Sequence, residues 1–227
     1  MTTSPARLAE ATLERPPLAA YGQVLARGGR LWLCHPDGSL ESQDTRPWLA
    51  DADAVDHRVL ARCAGPALDV GCGPGRLVAA LAATGTPALG IDLSAHAVAL
   101  ARARGAPALR RDVFGPLPGE GRWAVVLLAD GNIGIGGAPR RLLRRMAELA
   151  APGGRLVVEV ARGDVDRRGP VRIITPAGVV SRPFHWAALG APALLREADA
   201  AGWRADEIWD DGGRRFVALS RAGAAAP

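Results

Sequence analysis

Lysine is absent from this sequence, in which all 28 basic residues are arginine. The absence excludes any mechanism that uses a lysine as base or as nucleophile. The formal net charge is nevertheless +5. Because Ala, Arg, Gly and Pro are abundant together, we attribute the positive net charge to a GC-rich coding background. This charge is therefore weaker evidence for a nucleic-acid partner than it would be in a lysine-rich chain.

Cysteine and long apolar runs are also scarce. The three cysteines (Cys34, Cys63 and Cys72) form no CxxC pair. Neither a disulfide framework nor a cysteine zinc site is indicated, and we expect no metal site. No apolar run reaches the roughly 18 residues of a membrane-spanning helix, and residues 1–15 contain no apolar signal region. We therefore expect a cytoplasmic protein that does not bind membranes.

Strand and helix patterns alternate through most of the chain. The 227 residues suit one α/β domain. From residue 67 onward, short apolar runs alternate with helical periodicity, which predicts a doubly wound, mostly parallel sheet with helices on both faces. The predicted strands are 67–70, 88–91, a short one ending near Asp112, 123–128, 155–160, 203–209 and 214–220, and the predicted helices are 76–83, 95–104, 139–150 and 191–201.

A glycine-rich turn joins the first of these strands to the first helix. The segment LDVGCGPGRL (68–77) has three glycines in GxGxG spacing, and glycine lets a ligand approach the backbone N–H groups closely. A dinucleotide fingerprint would need another glycine at position 76, where Arg76 stands. Asp69 would also repel a pyrophosphate, whereas a carboxylate suits an ammonium group. The loop thus indicates a cationic ligand rather than NAD(P).

Polar residues follow three further predicted strands. Asp92 ends a strand about twenty residues after the loop, where a carboxylate can accept hydrogen bonds from both ribose hydroxyls. The Asp112 carboxylate can accept from an adenine amine, and the Val113 N–H can donate to the ring. Asp130 and Asn132 follow the apolar strand 123–128. These residues meet at the carboxyl edge of the predicted sheet, where such folds bind ligands.

Together these segments resemble the class I S-adenosylmethionine-dependent methyltransferases. The resemblance rests on LDVGCGPGRL (68–77), GIDLS (90–94), RRDVFGPLP (110–118), WAVVLLADGNIGIGG (123–137) and MAELAAPGGRLVVEV (146–160), which follow the family's order and spacing. The pattern looks like that of small actinobacterial methyltransferases. The resemblance implies a Rossmann-like sheet of seven strands with an antiparallel last strand, and S-adenosylmethionine as the cofactor.

The resemblance also implies roles for single residues. Asp69 and the loop would hold the methionine end of the cofactor, Asp92 the ribose, and Leu93 the adenine face. Asp112 and Val113 would recognise the adenine edge, and Asp130 would lie near the sulfonium. The candidate cofactor-binding residues are Asp69, Gly71, Cys72, Gly73, Gly75, Arg76, Asp92, Leu93, Asp112, Val113, Asp130 and Asn132.

The candidate general bases are His185 and Glu159, although a base is needed only for a protonated nucleophile. His185 lies between two aromatic residues in a less regular segment, either in a pocket wall or in a short solvated strand. Glu159 interrupts an apolar strand near its end. The aromatic motif of adenine- and glutamine-directed enzymes is missing after strand 123–128, and without lysine the tetrad of ribose 2′-O-methyltransferases cannot form.

We therefore predict methyl transfer to an O or N nucleophile of a small molecule of secondary metabolism. An RNA- or protein-directed enzyme and a non-catalytic cofactor-binding scaffold are the alternatives. Within a single domain (1–227), we expect a substrate cover (1–50), a cofactor-binding core (51–160), a lid-like insertion (161–190) and a C-terminal helix with two strands (191–227). Nucleic acid is not an expected partner, because the arginines of helix 139–150 have no aromatic platform beside them.

Overall fold

The computed structural model describes residues 13–221. The predicted substrate cover (1–50) and C-terminal unit (191–227) are therefore described only from residue 13 and up to residue 221, and their other residues lie outside the described part. Between residues 13 and 221, no helix has both the length and the apolar character needed to cross a membrane.

Between residues 67 and 160 most strands are followed by a helix, as the apolar periodicity predicts. The strands are β1 (Leu13–Arg15), β2 (Arg30–Cys34), β3 (Leu40–Asp44), β4 (Ala67–Val70), β5 (Ala88–Asp92), β6 (Ala108–Arg110), β7 (Trp123–Leu128), β8 (Ala150–Val160), β9 (Asp166–Ile174), β10 (Val179–Ser181), β11 (Phe184–Leu189), β12 (Trp203–Asp211) and β13 (Arg214–Arg221). The helices are α1 (Pro17–Arg27), α2 (Arg46–Leu49), α3 (Ala54–Leu60), α4 (Arg76–Ala83), α5 (Ala95–Ala103), α6 (Pro139–Leu149) and α7 (Ala191–Asp199), and a 3₁₀ turn spans Asn132–Gly137.

Seven strands form the main sheet, in the order β12-β13-β8-β7-β4-β5-β6. Only β13 runs antiparallel to its neighbours β8 and β12, and the other neighbouring pairs are parallel. The predicted Rossmann-like sheet with an antiparallel last strand is therefore confirmed. After β4 the chain builds outward through β5 and β6, and it returns to the other side of β4 for β7. This reversal opens a crevice at the carboxyl ends of β4 and β7.

The apolar run of β7 shows why this sheet is buried on both faces. Val126 and Leu128 pack in the core that contains α6 and α7, whereas Val125 and Leu127 pack on the opposite face against α3 and α4. None of the four side chains is more than 1% exposed. Each such side chain contributes about 1.5–3 kcal/mol of burial free energy. A strand covered on both faces needs a continuous apolar run, which is the pattern that the sequence shows.

A second, smaller sheet lies over the carboxyl edge of the first. Its strands follow the order β1-β10-β9-β2-β3, with β11 also paired to β9. The expectation that residues 161–190 are irregular was wrong, because β9, β10 and β11 occupy most of that range. Gly169 and Pro170 favour turns, but pairing with β11 holds both residues in strand β9. Cross-strand contacts override local propensity in such positions.

Candidate functional site

A cavity of about 640 Å³ lies between the carboxyl edge of the main sheet and the smaller sheet. Its volume falls within the range of about 300–1,000 Å³ that is usual for small-molecule sites. Except for Gly75, every candidate residue from the sequence lines it: Asp69, Gly71, Cys72, Gly73, Arg76, Asp92, Leu93, Asp112, Val113, Asp130, Asn132, Glu159 and His185. The fold therefore brings together strand ends that are up to 116 residues apart in the sequence, from Asp69 to His185.

The glycine loop takes a backbone path that only glycine follows without strain. Gly71, Gly73 and Gly75 have φ values of 75°, 52° and 82°. A Cβ on Gly75 would lie 2.7 Å from the Ala101 Cβ, so this glycine permits close packing of α4 against α5. The other two glycines leave the floor of the cavity free of side chains.

Asn132 fixes the loop from the neighbouring strand end. Its Nδ2 donates hydrogen bonds to the carbonyl oxygens of Val70, at 3.0 Å, and Gly71, at 2.9 Å. A Cβ on Gly71 would lie 2.7 Å from that same Nδ2. The predicted site residue Asn132 thus shapes the loop through the backbone, and the absence of a side chain at position 71 makes this contact possible.

Asp69 is the most deeply placed acidic group of the cavity floor, with 3% of its surface exposed. Among residues 13–221, no group donates a hydrogen bond to its carboxylate, and only through-space charges act on it. Burial raises the pKa of Asp69 to about 7, while the charge of Arg76 opposes this rise. A buried carboxylate without a partner is costly. It becomes stable as an anion when a cation enters the cavity.

Asp92 is held by the backbone at the end of β5. Its Oδ2 accepts from the Gly73 N–H at 3.0 Å and its Oδ1 accepts from the Ser94 N–H at 2.7 Å. Burial raises the pKa of Asp92, and these N–H groups counteract part of that rise. Each oxygen keeps a further lone pair, so the fixed carboxylate can accept from two adjacent hydroxyl groups.

The wall next to Asp92 is apolar and open. Leu93 is 44% exposed, and large apolar side chains that face a cavity provide a stacking surface for a flat ring. Val113 is buried behind it. The exposed Asp112 accepts a hydrogen bond from the Phe114 N–H at 3.0 Å. The three residues therefore line the same part of the cavity wall, and their role in holding adenine stays a prediction.

Two arginines organise the carboxylates on the other side of Asp69. Arg76, only 6% exposed, donates to Asp56 Oδ2 at 2.8 Å and to Asp130 Oδ2 at 2.8 Å. Arg214 donates to Asp56 Oδ1 at 2.7 Å and to both oxygens of Glu159, at 2.9 and 2.7 Å. These five side chains form a charge network that joins α3, α4, β8, β13 and the turn after β7. Asp56 and Arg76 are buried, and the other three are half-buried.

The charge network changes the interpretation of Glu159. Both of its oxygens are bound by Arg214, and Oε2 also accepts the Asp130 N–H at 2.8 Å. These contacts fix the Glu159 carboxylate between Arg214 and the turn after β7, so the side chain helps to position that turn. Its role as a base stays a prediction.

The turn after β7 is strained at Asp130. Its φ is 51°, the one positive value for a residue other than glycine in the described range. Aspartate tolerates this conformation better than most residues. Burial raises the pKa of Asp130, and the hydrogen-bonded Arg76 opposes the rise. Arg76 donates a hydrogen bond to the Asp130 carboxylate, and the Asp130 N–H donates one to Glu159. Together these bonds keep the carboxylate at the cavity wall.

Two other predicted residues take less central places. His185 is exposed at the cavity rim on β11. The Cys72 side chain packs with Val78 and Val98 behind the loop, and burial raises the pKa of its thiol. Cys72 therefore contributes its backbone to the loop rather than a reactive group.

Sequence reasoning missed Tyr21 and Trp48, whereas it considered a pocket wall for the aromatic residues on either side of His185. Tyr21 and Trp48 line the cavity from α1 and α2, and Phe184 and Trp186 line it from β11. Tyr21 is the sole tyrosine of the chain, which is the one signal that could have drawn attention to it. Burial, followed by the charges of Asp92 and Asp130, raises its pKa well above the usual range.

Substitution of Gly71 by alanine tests the loop geometry against a matched position. Gly71 and Gly85 have φ values of 75° and 76°, but a Cβ on Gly85 would meet no atom within 4 Å. Gly85→Ala should cost about 1–2 kcal/mol from the backbone alone. Gly71→Ala should cost at least about 1 kcal/mol more because of the Asn132 contact. Urea unfolding measures both, and equal losses would contradict the proposed role of Asn132.

Substitution of Arg214 tests the charge network. Arg214→Leu should lower the free energy of unfolding by about 3 kcal/mol, because it leaves buried carboxylates with one guanidinium fewer. The adjacent Arg215 pairs with the more exposed Asp210 at 2.6 Å, and Arg215→Leu should change the free energy of unfolding little, because water screens an exposed ion pair. Urea unfolding of both variants gives the comparison. A loss for Arg214→Leu no larger than for Arg215→Leu would refute the network's contribution to stability.

Comparisons with known proteins agree with this geometry. A family model described as a methyltransferase domain matches residues 52–207. No functionally curated protein matches the sequence significantly. Among solved structures, a SAM-dependent methyltransferase from Bacteroides fragilis in complex with S-adenosylhomocysteine is 21% identical, with a TM-score of 0.74 over 94% of this chain and 99% of that chain.

Two further structures share the fold at lower similarity. Burkholderia thailandensis 1,6-didemethyltoxoflavin-N1-methyltransferase is 21% identical, with a TM-score of 0.54 over 78% of this chain and 77% of its own. CalS10, an amino pentose methyltransferase from Micromonospora echinaspora, is 22% identical, with a TM-score of 0.54 over 74% of this chain and 88% of its own. Because the family model covers more than half of the sequence, the chain belongs to the methyltransferase domain family.

Proposed function

We propose that this protein transfers a methyl group from S-adenosylmethionine to an O or N nucleophile of a small molecule. The observation that carries the proposal is the buried Asp69 carboxylate, which has no hydrogen-bond donor among residues 13–221 and lies under a glycine loop. It calls for a cation at the point where a dinucleotide would place a phosphate. The amino acid end of S-adenosylmethionine carries an ammonium group, which fits this requirement.

The remaining wall suits the other parts of the cofactor. The fixed Asp92 carboxylate can accept from the two ribose hydroxyls. Leu93, Asp112 and Val113 would hold the adenine, with Leu93 against its face. Gly71 and Gly73 would let the amino acid end lie against the backbone. The complex of the Bacteroides fragilis enzyme with S-adenosylhomocysteine supports the same choice of ligand.

Orientation is the main contribution that this chain can make to the reaction. When bound, S-adenosylmethionine supplies an activated methyl group on a sulfonium, and the protein holds the nucleophile in line with it. Such alignment can be worth up to about 7–11 kcal/mol. Glu159 is occupied by Arg214, so the proposal requires no base from that position. His185 at the rim is the candidate to accept a proton if the nucleophile carries one.

The two segments outside the cofactor core would bind the methyl acceptor. The N-terminal strands β2 and β3 and the later strands β9 and β11 belong to one sheet over the cavity. We assign the substrate cover and the lid-like insertion to this sheet. Several structural neighbours, such as the toxoflavin and amino pentose enzymes, bear names that specify small-molecule acceptors, which supports a small acceptor here.

Calorimetry with S-adenosylhomocysteine tests the proposal directly. The wild-type protein should bind it with micromolar affinity, and Asp92→Ala should lose at least tenfold because two hydrogen bonds to the ribose disappear. Asp51→Ala is the control, because Asp51 is exposed and does not line the cavity. Absence of binding to the wild-type protein would refute the proposed ligand, and equal affinities for all three proteins would refute the role of Asp92 in binding it.

The affinity for S-adenosylhomocysteine should depend on pH through Asp69. With a pKa of about 7, Asp69 is mostly protonated at pH 6 and mostly ionised at pH 8. The ligand's ammonium group prefers the ionised form, so the affinity should rise about tenfold between these two values.

Titrations at several pH values measure this rise, and Asp69→Asn should give a flat profile with weaker binding throughout. If affinity in the wild-type protein falls or stays constant as the pH rises, Asp69 does not bind the ammonium group.

A further inference from the structure

The cavity has two walls of different chemistry. The main-sheet wall carries the carboxylates and backbone groups described above, whereas the opposite wall is aromatic and aliphatic. We call the latter part the aromatic chamber, and its members are Tyr21, Leu31, Trp48, Ile173, Phe184 and Trp186. They come from α1, α2 and the smaller sheet, so none of them belongs to the residues assigned to the cofactor.

Aromatic residues are concentrated in this chamber. The whole chain has six Trp, three Phe and one Tyr, and four of these ten rings line the same cavity. The Tyr21 and Trp48 ring centroids are 6.2 Å apart with a tilted geometry, and those of Phe184 and Trp186 are 6.2 Å apart and edge-on. All four are only partly buried against the core of the smaller sheet. Their remaining surface is available to a ligand.

None of the six residues of the chamber carries a charge. Glu41 lines the cavity next to them, where it accepts a hydrogen bond from Gln43 Nε2 at 2.6 Å and lies 4.0 Å from the Arg167 guanidinium. His185 remains at the exposed rim. A ligand within the chamber therefore meets ring faces and aliphatic side chains. This favours an acceptor without charge over a cationic sugar or an anionic one.

The chamber is closed on one side by the strands of the smaller sheet, which favours a compact acceptor over a polymer. The arginines of α6 do not offer an alternative nucleic-acid surface. Arg140 binds Glu197 at 2.8 Å, Arg145 binds Glu148 at 2.7 Å, and Arg141 stacks on Phe114 at 4.1 Å from the ring centroid. The expectation that these arginines have no aromatic residue beside them was therefore wrong for Arg141.

We infer that the methyl acceptor is an uncharged aromatic or heteroaromatic ring compound that carries its nucleophile on the ring. The inference rests on the proposed function, because it assigns the chamber to the acceptor side of the same cavity. Aromatic side chains prefer other rings in offset or edge-on contact, beyond what buried area alone provides. Tyr21 lies where the two walls meet, since a Cβ on Gly73 would be 3.3 Å from its hydroxyl oxygen.

Binding of acceptor probes to the protein saturated with S-adenosylhomocysteine tests this inference without requiring turnover. The probes are 1-naphthol, its saturated counterpart decahydro-1-naphthol, and glucosamine. We expect 1-naphthol to bind about fivefold more tightly than the saturated alcohol, and glucosamine to show no detectable binding. Equal or tighter binding of decahydro-1-naphthol, or a preference for glucosamine, would overturn the inference.

Three variants locate the binding of the probe. Trp48→Leu and Phe184→Leu should each weaken the binding of 1-naphthol at least fivefold, while the affinity for S-adenosylhomocysteine stays within twofold and reports a folded protein. Trp209 stacks on Phe216 at 5.3 Å outside the cavity, so Trp209→Leu should leave both affinities unchanged. Unchanged naphthol binding in both chamber variants would also overturn the inference.

The two proposals fail in different ways. If the wild-type protein does not bind S-adenosylhomocysteine, the proposed function fails, and the acceptor inference fails with it. If S-adenosylhomocysteine binds but the ring probe shows no preference over the other probes, only the acceptor inference fails.

Discussion

The arrangement of the cavity depends on how two arginines are shared among buried carboxylates. Arg76 and Arg214 together bind Asp56, Asp130 and Glu159. Buried charges are stable only when they are paired and hydrogen-bonded, so each member fixes the position of the others. Because Arg76 donates to Asp56 and Asp130, it acts on Asp69 only through space. The network therefore both holds the strand ends in place and leaves one carboxylate for a ligand cation.

The glycine loop and this carboxylate form a site that differs in charge from a dinucleotide site of similar topology. In both, glycine lets the ligand approach the backbone at the start of a helix. Here a buried carboxylate lies below the loop, and it would repel a phosphate. The Asp92 carboxylate at the next strand end is common to both kinds of site, because both ligands contain a ribose. Asp69 and the spacing of the glycines are thus the features on which the proposed ligand class rests.

The two sheets supply different parts of the cavity. The main sheet supplies the strand ends to which we assign the cofactor. The smaller sheet is built from two segments on either side of the core, β1–β3 and β9–β11, which pair through β2 with β9 and through β1 with β10. This sheet and the helices α1 and α2 give the cavity its aromatic side.

Local pattern predicted the strands and helices of a mostly parallel sheet, the glycine loop and the acidic strand ends, and the resemblance to class I methyltransferases implied the seven strands with an antiparallel last one. Apolar periodicity places the strands and helices, and GxGxG with Asp69 and Asp92 needs only neighbours in the sequence to be recognised. The tertiary structure decided the hydrogen-bond partner of Glu159, because that partner, Arg214, lies 55 residues away in the sequence. It also decided that residues 166–189 form strands and that Tyr21, Trp48, Phe184 and Trp186 share one cavity. Such features arise from pairing between distant segments, and no local propensity encodes which distant partner a charged or aromatic side chain will meet.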